Sequence, residues 1–246
     1  MGKKLSDLEV GARIKFGKYS VEGKETHDII WVKVHSDNTF MTERIEDFRA
    51  FDAKEPNNPD RYRRDYGNYD YTVSNIAQFL NSSGKVWFDS QHEYDEAPST
   101  ETTNDNTPYN NHQGFLSLFT DEEYEAIKYT EVITAVPNKG KTSIEQKVFL
   151  PSITNIYGYS NGNDEIMEGE YWDYFNTLGK SKRAMPTDYA VWNTTCSGFT
   201  INHNESWYYF MRSAQCSNSY RVRYVNKNGN YDNCDACQGV IGVRPA

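Results

Sequence analysis

The chain of 246 residues carries 26 Lys and Arg against 35 Asp and Glu, which gives a formal net charge of -9 at pH 7. Nonspecific nucleic-acid binding needs clustered cations that neutralise phosphates, and the sequence has no basic run, so we expect no nucleic-acid partner. Hydrophobic residues make up 37%, but aromatic residues reach 15%, so we expect a folded chain with much of its apolar area on rings.

The first residues contain no apolar region of the kind that opens a secretion signal, and no run of about 18 apolar residues occurs anywhere in the sequence. This pattern predicts synthesis in the cytoplasm without a signal peptide, and no direct insertion into a membrane.

Three short β-branched and aromatic segments, at residues 13–17, 28–34 and 39–42, predict the first strands. A polar turn at residues 36–38 joins the second strand to the third, so we expect an antiparallel meander. Residues 51–71 are rich in Pro, Asn, Asp and Arg, which predicts a long ordered loop.

Apolar residues at helical spacing predict a first helix over 71–80, with Thr72 as its N-cap. Residues 90–113 read as a second long loop. Thr120 and Glu123 form the pattern of a capping box, so a second helix should begin there and end near Thr130. Residues 147–152 predict a short strand that Pro151 stops.

Residues 153–157 predict a helical turn, residues 170–175 an aromatic packing cluster, and residues 186–190 a capped single turn. The sequence shows neither a flexible linker nor an internal repeat. We therefore predict one α+β domain over residues 1–246, with antiparallel sheets, two main helices and long ordered loops.

The C-terminal region, residues 207–246, has an apolar frame around a polar middle. Residues 216–237 hold three of the chain's 4 Cys and many Asn, Tyr, Ser and Asp, but Lys227 is their one member of the group Lys, Glu, Gln, Met and Trp. These five types make up about one residue in five of an ordinary chain. The bias favours a rigid scaffold that presents a recognition surface.

The order of several short blocks resembles the DUF6273 family of bacterial and phage domains. The blocks are residues 11–19, 30–32, 76–81, 147–152, 185–190, 209–213 and 242–246. The resemblance extends from about Asp7 to Ala246, and it implies a C-type-lectin-like fold related to the formylglycine-generating enzyme. We also expect Arg244 and Pro245 to close the fold by tying the last strand to the core.

Many members of the DUF6273 family are variable proteins of diversity-generating retroelements, in which error-prone reverse transcription mutates template adenines. Mutation of the first two bases of AAC or AAT never produces Lys, Glu, Gln, Met or Trp, so the resemblance explains the bias in residues 216–237. It implies that Gln215, Lys227 and Gln238 are fixed. A loop rich in Asn and Tyr that was never diversified stays open as an alternative.

The resemblance thus implies a set of variable, ligand-binding positions, with Val222, Val225 and Gly229 as fixed frame between them. Gly229 suits the positive φ of a turn. The ligand-binding candidates are Tyr208, Cys216, Ser217, Asn218, Ser219, Tyr220, Arg221, Arg223, Tyr224, Asn226, Asn228, Asn230, Tyr231, Asp232, Asn233, Cys234, Asp235 and Cys237.

Tyr supplies large rigid contact area, while Asn and Ser supply adaptable hydrogen bonds, so these positions predict a binding surface. The expected ligand is a protein or glycan on a target cell. The resemblance implies target recognition by a phage or prophage, with the chain carried on the virion; a bacterial surface adhesin is the alternative. Both a homo-oligomer and attachment to a phage structural protein stay open.

An enzyme related to the formylglycine-generating enzymes would use a pair of cysteines, and Cys234 and Cys237 are the candidates. A catalytic pair within a varying segment is contradictory, so we predict no enzyme, no catalytic residue and no cofactor. We also predict no metal, because no second CxxC pattern accompanies these cysteines and the five His are scattered. Residues 55–57 spell Glu-Pro-Asn, a calcium-lectin motif, but lack its partners.

Overall fold

The computed structural model describes residues 4–20, 26–137, 139–161, 166–196 and 198–246. Residues 1–3, which belong to the stretch examined for a signal sequence, lie outside the described residues. The strands are β1 Arg13–Tyr19, β2 His27–Lys33, β3 Phe40–Thr42, β4 Asp47–Phe48, β5 Thr130–Val136, β6 Gly140–Gln146, β7 Tyr209–Ala214, β8 Arg221–Val225, β9 Tyr231–Asp235 and β10 Gly242–Val243. The α-helices are α1 Arg61–Tyr66, α2 Asn75–Leu80, α3 Asp121–Ala126, α4 Ile153–Tyr157, α5 Asp173–Asn176 and α6 Asp188–Asn193, and 3-10 helices cover Leu5–Asp7, Tyr71–Val73 and Phe115–Leu118.

The predicted N-terminal meander is confirmed. Strands β1, β2 and β3 pair antiparallel in that order, with Trp31 of β2 opposite Ile14 on one side and Thr42 on the other. Trp31 is buried, and its indole N–H donates to the carbonyl of Phe16 at 2.7 Å. The β-branched and aromatic composition of these segments accounts for a half-buried, pleated sheet.

The largest sheet has the order β4-β10-β7-β8-β9, so the C-terminal region forms most of it. Strand β7 lies in the middle and is buried along its whole length, whereas β9 lies at the edge. The pairing of β10 with β7 is parallel, which corrects the prediction of purely antiparallel sheets at this one ladder. The chain is a mixed α+β protein with mostly sheet and short helices.

The prediction of two main helices is wrong, because no α-helix in the described ranges exceeds six residues. Helix α2 begins at Asn75 with Ser74 as its N-cap, whereas Thr72 lies in the preceding 3-10 helix. Helix α3 has the predicted capping box of Thr120 and Glu123. It ends at Ala126 because the chain must straighten to enter β5 at Thr130.

Two loop-and-strand predictions also need correction. The loop predicted over residues 51–71 contains α1, which Asp60 caps by accepting a hydrogen bond from the Tyr62 N–H. The strand predicted over residues 147–152 is not formed. Strand β6 ends just before this segment, at Gln146. Phe149 nevertheless exchanges two backbone hydrogen bonds with Ala246, of 2.9 and 2.7 Å. The helical turns predicted near residues 153–157 and 186–190 are confirmed as α4 and α6.

The buried guanidinium of Arg212 in β7 connects the central sheet to its neighbours. Its Nε donates to the carbonyl of Ile133 at 2.9 Å, and its Nη1 donates to the carbonyl of Leu150 at 2.8 Å and to Asn155 Oδ1 at 2.9 Å. Its Nη2 donates to the carbonyl of Glu168, whose carboxylate accepts from Ser213 Oγ. Because these groups satisfy one another away from water, they fix β7 rigidly in the core.

The expected closure of the fold by the C-terminus is confirmed. Arg244 Nε donates to the carbonyl of Thr42 at 2.9 Å, and the Thr42 N–H donates to the carbonyl of Pro245 at 2.9 Å. These contacts tie the end of the chain to β3. Among the described residues, no helix has the length and apolar character that a membrane crossing requires.

Candidate functional site

The ligand-binding candidates cluster on the hairpin of β8 and β9, at the free edge of the largest sheet. The ladder runs without a bulge and pairs Arg221 with Asp235, Arg223 with Asn233, and Tyr224 with Asp232. Because side chains alternate along a strand, the candidates divide between two faces. The arginine face contains Arg221, Arg223, Tyr231, Asn233 and Asp235, and the cysteine face contains Tyr224, Asp232 and Cys234.

Exposure separates most of the candidates from Val222 and Val225 of the predicted frame. Every candidate except Cys237 is exposed or partly exposed. Val222 and Val225 are fully buried, and Gly229 has a φ of +82°, so the predicted structural roles of these three residues are confirmed. Cys237 is a correction: it is completely buried, because the turn after β9 folds it inward against the end of α1, where its N–H donates to the carbonyl of Tyr66 at 3.1 Å.

On the arginine face, charged groups and rings hold one another in place. Arg221 Nε lies 3.3 Å from Asp235 Oδ1, and Arg223 Nε donates to Asn161 Oδ1 at 3.2 Å. The Arg223 guanidinium also lies 5.3 Å from the ring centroid of Tyr231. The cations of this face are therefore oriented, but they remain in contact with solvent.

Tyr231 connects the arginine face to two tyrosines outside the C-terminal region. Its ring meets those of Tyr157 and Tyr159 edge-on, at centroid distances of 5.3 and 6.0 Å. Tyr231 and Tyr159 keep 42% and 53% of their surface exposed. The result is an aromatic patch that is preassembled and still accessible.

On the cysteine face, Tyr224 packs edge-on against Tyr208 at a centroid distance of 5.6 Å. Partial burial, and then the neighbouring carboxylate of Asp232, raise the pKa of Tyr224 to about 12. Lys227 lies over the ring of Trp207, with its Nζ 3.7 Å from the centroid. This residue, expected to be fixed, thus attaches the end of the hairpin to the frame.

The tip of the hairpin is held by its own backbone and one asparagine side chain. Asn226 Oδ1 accepts from the N–H groups of Asn228 and Asn230, at 2.9 and 3.1 Å. The Gly229 N–H donates to the carbonyl of Asn226 at 2.9 Å, and Tyr157 Oη donates to the carbonyl of Gly229 at 2.8 Å. A turn with this many hydrogen bonds presents its exposed asparagines in a fixed position.

The segment between β7 and β8 continues the surface towards α1. The ring of Tyr220 stacks on Tyr62 at 5.2 Å and on Tyr66 at 4.9 Å, and Ser219 Oγ donates to Asp60 Oδ2 at 3.3 Å. Sequence reasoning missed these fixed partners in residues 51–71. The signal that could have found them was Asp60, a good N-cap directly before a run free of Gly and Pro.

The remaining candidates of this segment are arranged around β8. The side-chain oxygen of Asn218 accepts from the Arg221 N–H at 3.0 Å, Ser217 Oγ accepts from Gln215 Nε2 at 2.6 Å, and Cys216 Sγ lies 3.7 Å from Asn161 Oδ1. Together with Tyr220, these residues link the hairpin to the loop at one end of the surface.

The four cysteines, all within the described ranges, form no disulfide. Burial raises the pKa of Cys237 to about 12 and raises that of Cys234 well above its ordinary value. Both groups are therefore protonated thiols at neutral pH, and the thiolate is the reactive form of cysteine. This environment disfavours an oxidising cysteine pair.

One group of metal-ligating side chains comes together elsewhere among the described residues. Ligand atoms of Asp52, Glu55 and His92 lie within 4.8 Å of one another. Both Asp52 oxygens accept backbone N–H groups, and Glu55 Oε1 accepts two hydrogen bonds from Arg63, of 3.1 and 2.5 Å. These hydrogen bonds account for the positions of both carboxylates without an ion. Glu55 is fully buried, so the Glu-Pro-Asn motif does not present it to a sugar.

The sequence matches a family described as "Domain of unknown function (DUF6273)" over residues 35–246. The chain belongs to the DUF6273 family. The match covers β3 to β10, so it includes the hairpin and all of its packing partners named above. Searches of curated proteins and of solved structures found no significant match to this DUF6273 chain.

Proposed function

We propose that this DUF6273 chain is a binding protein that recognises a protein or glycan on the surface of a target cell. The contact region would be the hairpin surface, defined as all the ligand-binding candidates except Cys237. The observation that carries the proposal is the division by exposure: the compositionally biased positions are accessible, while Val222 and Val225 between them are buried. A surface built in this way changes its side chains without changing its fold.

The chemistry of the hairpin surface supports binding. Tyr220, Tyr224 and Tyr231 each pack against a second tyrosine outside β8 and β9. Rings that are already ordered lose little conformational entropy when a ligand covers them, so they make efficient anchors. Tyr62 and Tyr159 remain about half exposed and would extend the contact area beyond the biased segment.

We further propose that the fold is C-type-lectin-like and that a diversity-generating retroelement varies the hairpin surface. The mixed α+β composition is compatible with such a fold, and the absence of Lys, Glu, Gln, Met and Trp from residues 216–237, Lys227 apart, supports diversification at adenines. The proposed carrier is a phage or prophage particle, in which variation would change the target cell.

The DNA beside the gene tests diversification directly. We expect a reverse transcriptase gene and a near-copy of the codons for the C-terminal region that differs from them only at adenines. Phage structural genes nearby would support a virion, and a cell-surface export system would support the adhesin. Substitutions at bases other than adenine would contradict the proposal.

Binding can be tested with a panel of fixed bacterial strains and the labelled, purified chain, read out by flow cytometry. On a strain that binds, Tyr231→Ala should weaken the Kd at least tenfold, which corresponds to about 1.4 kcal/mol. Tyr129→Ala is the matched control, because Tyr129 is also an exposed tyrosine but precedes β5 and packs against Lys147, neither of which belongs to the hairpin surface. Equal losses in the two variants would contradict the assignment of the surface.

We infer that the chain is not an enzyme. The raised pKa values of the Cys234 and Cys237 thiols support this inference, since oxidative chemistry at a cysteine pair starts from a thiolate. A turnover on thiol substrates that disappears in Cys234→Ser would contradict it.

A further inference from the structure

A groove of about 820 Å³ lies between the start of β1, the segment after β3, α5 and residues 180–185. Among the described residues, its lining includes five cationic side chains, Arg13, Arg44, Lys180, Arg183 and Arg244, and two acidic ones, Glu9 and Glu43. The sign of this local charge is opposite to the net charge of -9 of the whole chain. Such a reversal marks the groove as the place to which an anion would be attracted.

Three of the five cations are already engaged. Arg13 Nε donates to Glu43 Oε1 at 2.7 Å, Arg44 Nη1 donates to the carbonyl of Pro186 at 3.0 Å, and Arg244 is tied to Thr42. These side chains build the wall and contribute positive potential, but their donors are largely used.

Lys180 and Arg183 differ from the other three cations. Both are exposed, and neither side chain forms a hydrogen bond or ion pair with another residue in the part of the chain that the structure describes. Two free cations three positions apart at the rim of one groove can act on the same ligand group. Guanidinium and ammonium groups form their strongest hydrogen bonds with phosphate and carboxylate oxygens.

The size and the remaining lining of the groove indicate more than a bare inorganic ion. Grooves of about 300 to 1,000 Å³ accommodate small organic molecules. Leu178 and Met185 expose apolar surface here, and Tyr174 adds a partly exposed ring. The geometry points to a sugar-sized organic anion as the ligand of this groove, with its phosphate or carboxylate group held by Lys180 and Arg183.

The groove adjoins the hairpin surface but is a separate site. A Cβ at Gly229 would lie 3.2 Å from Arg183 Cγ, so the hairpin tip rests on the stem of this arginine. Ala184 in the groove wall forms a β-bridge with Trp207, the first residue of the C-terminal region. Binding in the groove does not depend on diversification or on a ligand of the hairpin surface.

The first test is a titration of the ¹⁵N-labelled chain, followed by NMR at constant ionic strength, with glucose 6-phosphate, glucuronate and glucose. We expect saturable shifts at residues 178–185 with one or both anions and none with glucose, which lacks the charge. The anion that binds identifies the recognised group. The proposal is overturned when neither anion causes saturable shifts there, or when glucose causes the same shifts.

The second test compares two double variants that remove the same charge. Lys180→Ala/Arg183→Ala should weaken the Kd for the bound anion at least tenfold, whereas Lys85→Ala/Lys141→Ala, which removes two exposed lysines elsewhere, should change it less than twofold. Equal weakening in both would reveal nonspecific attraction and overturn the site. Arg183→Gln removes the charge but keeps most of the aliphatic stem that supports the hairpin tip. Weaker anion binding by this variant therefore reports the lost charge and not a displaced tip.

Discussion

Strand β7 and the hairpin of β8 and β9 are neighbours in one sheet and in sequence, but they differ in the burial of their polar side chains. All six residues of β7 are buried, and its polar side chains Arg212 and Ser213 are satisfied by internal partners. No residue of β9 is buried, and its polar side chains keep contact with solvent even where Arg221 pairs with Asp235. The comparison shows that a strand fixed by buried polar contacts can lie one place away from a hairpin whose polar side chains stay accessible.

The largest effect should follow from Arg212→Ala in β7. The substitution removes four hydrogen bonds to Ile133, Leu150, Asn155 and Glu168 and leaves buried acceptors without donors. We expect a loss of about 3 to 5 kcal/mol in the free energy of unfolding, measured by urea denaturation with circular dichroism. A loss below 1 kcal/mol would show that β7 is not the fixed partner in this comparison.

Within β8 itself, Val222→Asn and Arg223→Asn place the same side chain at neighbouring positions. Val222 is fully buried, so Asn there loses apolar burial and leaves an amide unpaired, which should cost about 2 to 3 kcal/mol. Arg223 is partly exposed, and its replacement should stay within about 0.5 kcal/mol. Similar values from denaturation of the two variants would remove the distinction between frame and surface.

A pH effect is expected at His112. Its partner Arg49 directly follows β4, which is the edge strand opposite β9 in the largest sheet. His112 Nδ1 lies 2.9 Å from Arg49 Nη2, and Arg49 pairs with Asp47 of β4 at 2.9 Å. Burial, and then the Arg49 charge, lower the pKa of His112 from 6.5 to about 4. Between these values the unfolded chain takes up a proton that the folded chain does not, so this contribution to stability is present above pH 6.5 and is lost as the pH falls to about 4.

The measurement is the free energy of unfolding of the wild type and of His112→Asn, from pH 7 to pH 4. After discounting for solvent screening, the difference between them should change by about 1 to 2 kcal/mol in favour of the variant as the pH falls. A constant difference would mean that His112 titrates in the same way in both states.

A smaller effect is expected at the hairpin tip. Gly229 and Gly140 have φ values of +82° and +76°, but a Cβ at Gly140 meets nothing within 4 Å. Gly140→Ala should therefore report backbone strain alone, about 1 kcal/mol, and Gly229→Ala a few tenths more because of the contact with Arg183. Thermal denaturation of both variants measures this, and a neutral Gly229→Ala would contradict the frame role of the tip.

No effect is expected from reductant. The four described cysteines form no disulfide, so a thiol reductant should leave the Tm unchanged within error. Cys234 is partly exposed, so Cys234→Ser on the hairpin surface should change stability by less than about 0.5 kcal/mol. A drop in Tm with reductant would reveal a disulfide. A larger loss of stability in Cys234→Ser would show that Cys234 supports the fold.

Local chemistry predicted much of the fold. The meander of β1 to β3, the capping box at Thr120, the buried positions of Val222 and Val225, and the positive φ of Gly229 all depend on residues close in sequence. Patterns of this kind are encoded within a few residues, so they are visible without knowing what packs against them.

Most of the misses depend on contacts that are distant in sequence, whereas the N-caps Asp60 and Ser74 are local signals that the prediction did not use. Helix α1 is short and polar, and its tyrosines pack on Tyr220, which lies more than 150 residues later. Cys237 is buried because the turn after β9 meets α1, and the composition of its segment does not carry that information. The ligand-binding candidates divide into two hairpin faces because of the register in which β8 pairs with β9. The amino-acid composition of residues 216–237 does not specify that register.

The position of β9 at the end of the sheet limits how far its sequence can drift. One side of this strand offers unpaired backbone groups, and a strand of that kind becomes a template for aggregation when its side chains turn apolar. The charges of Asp232 and Asp235 oppose such pairing with a second chain. A library of hairpin variants should therefore lose members to aggregation first where Ile, Val or Phe replace both aspartates.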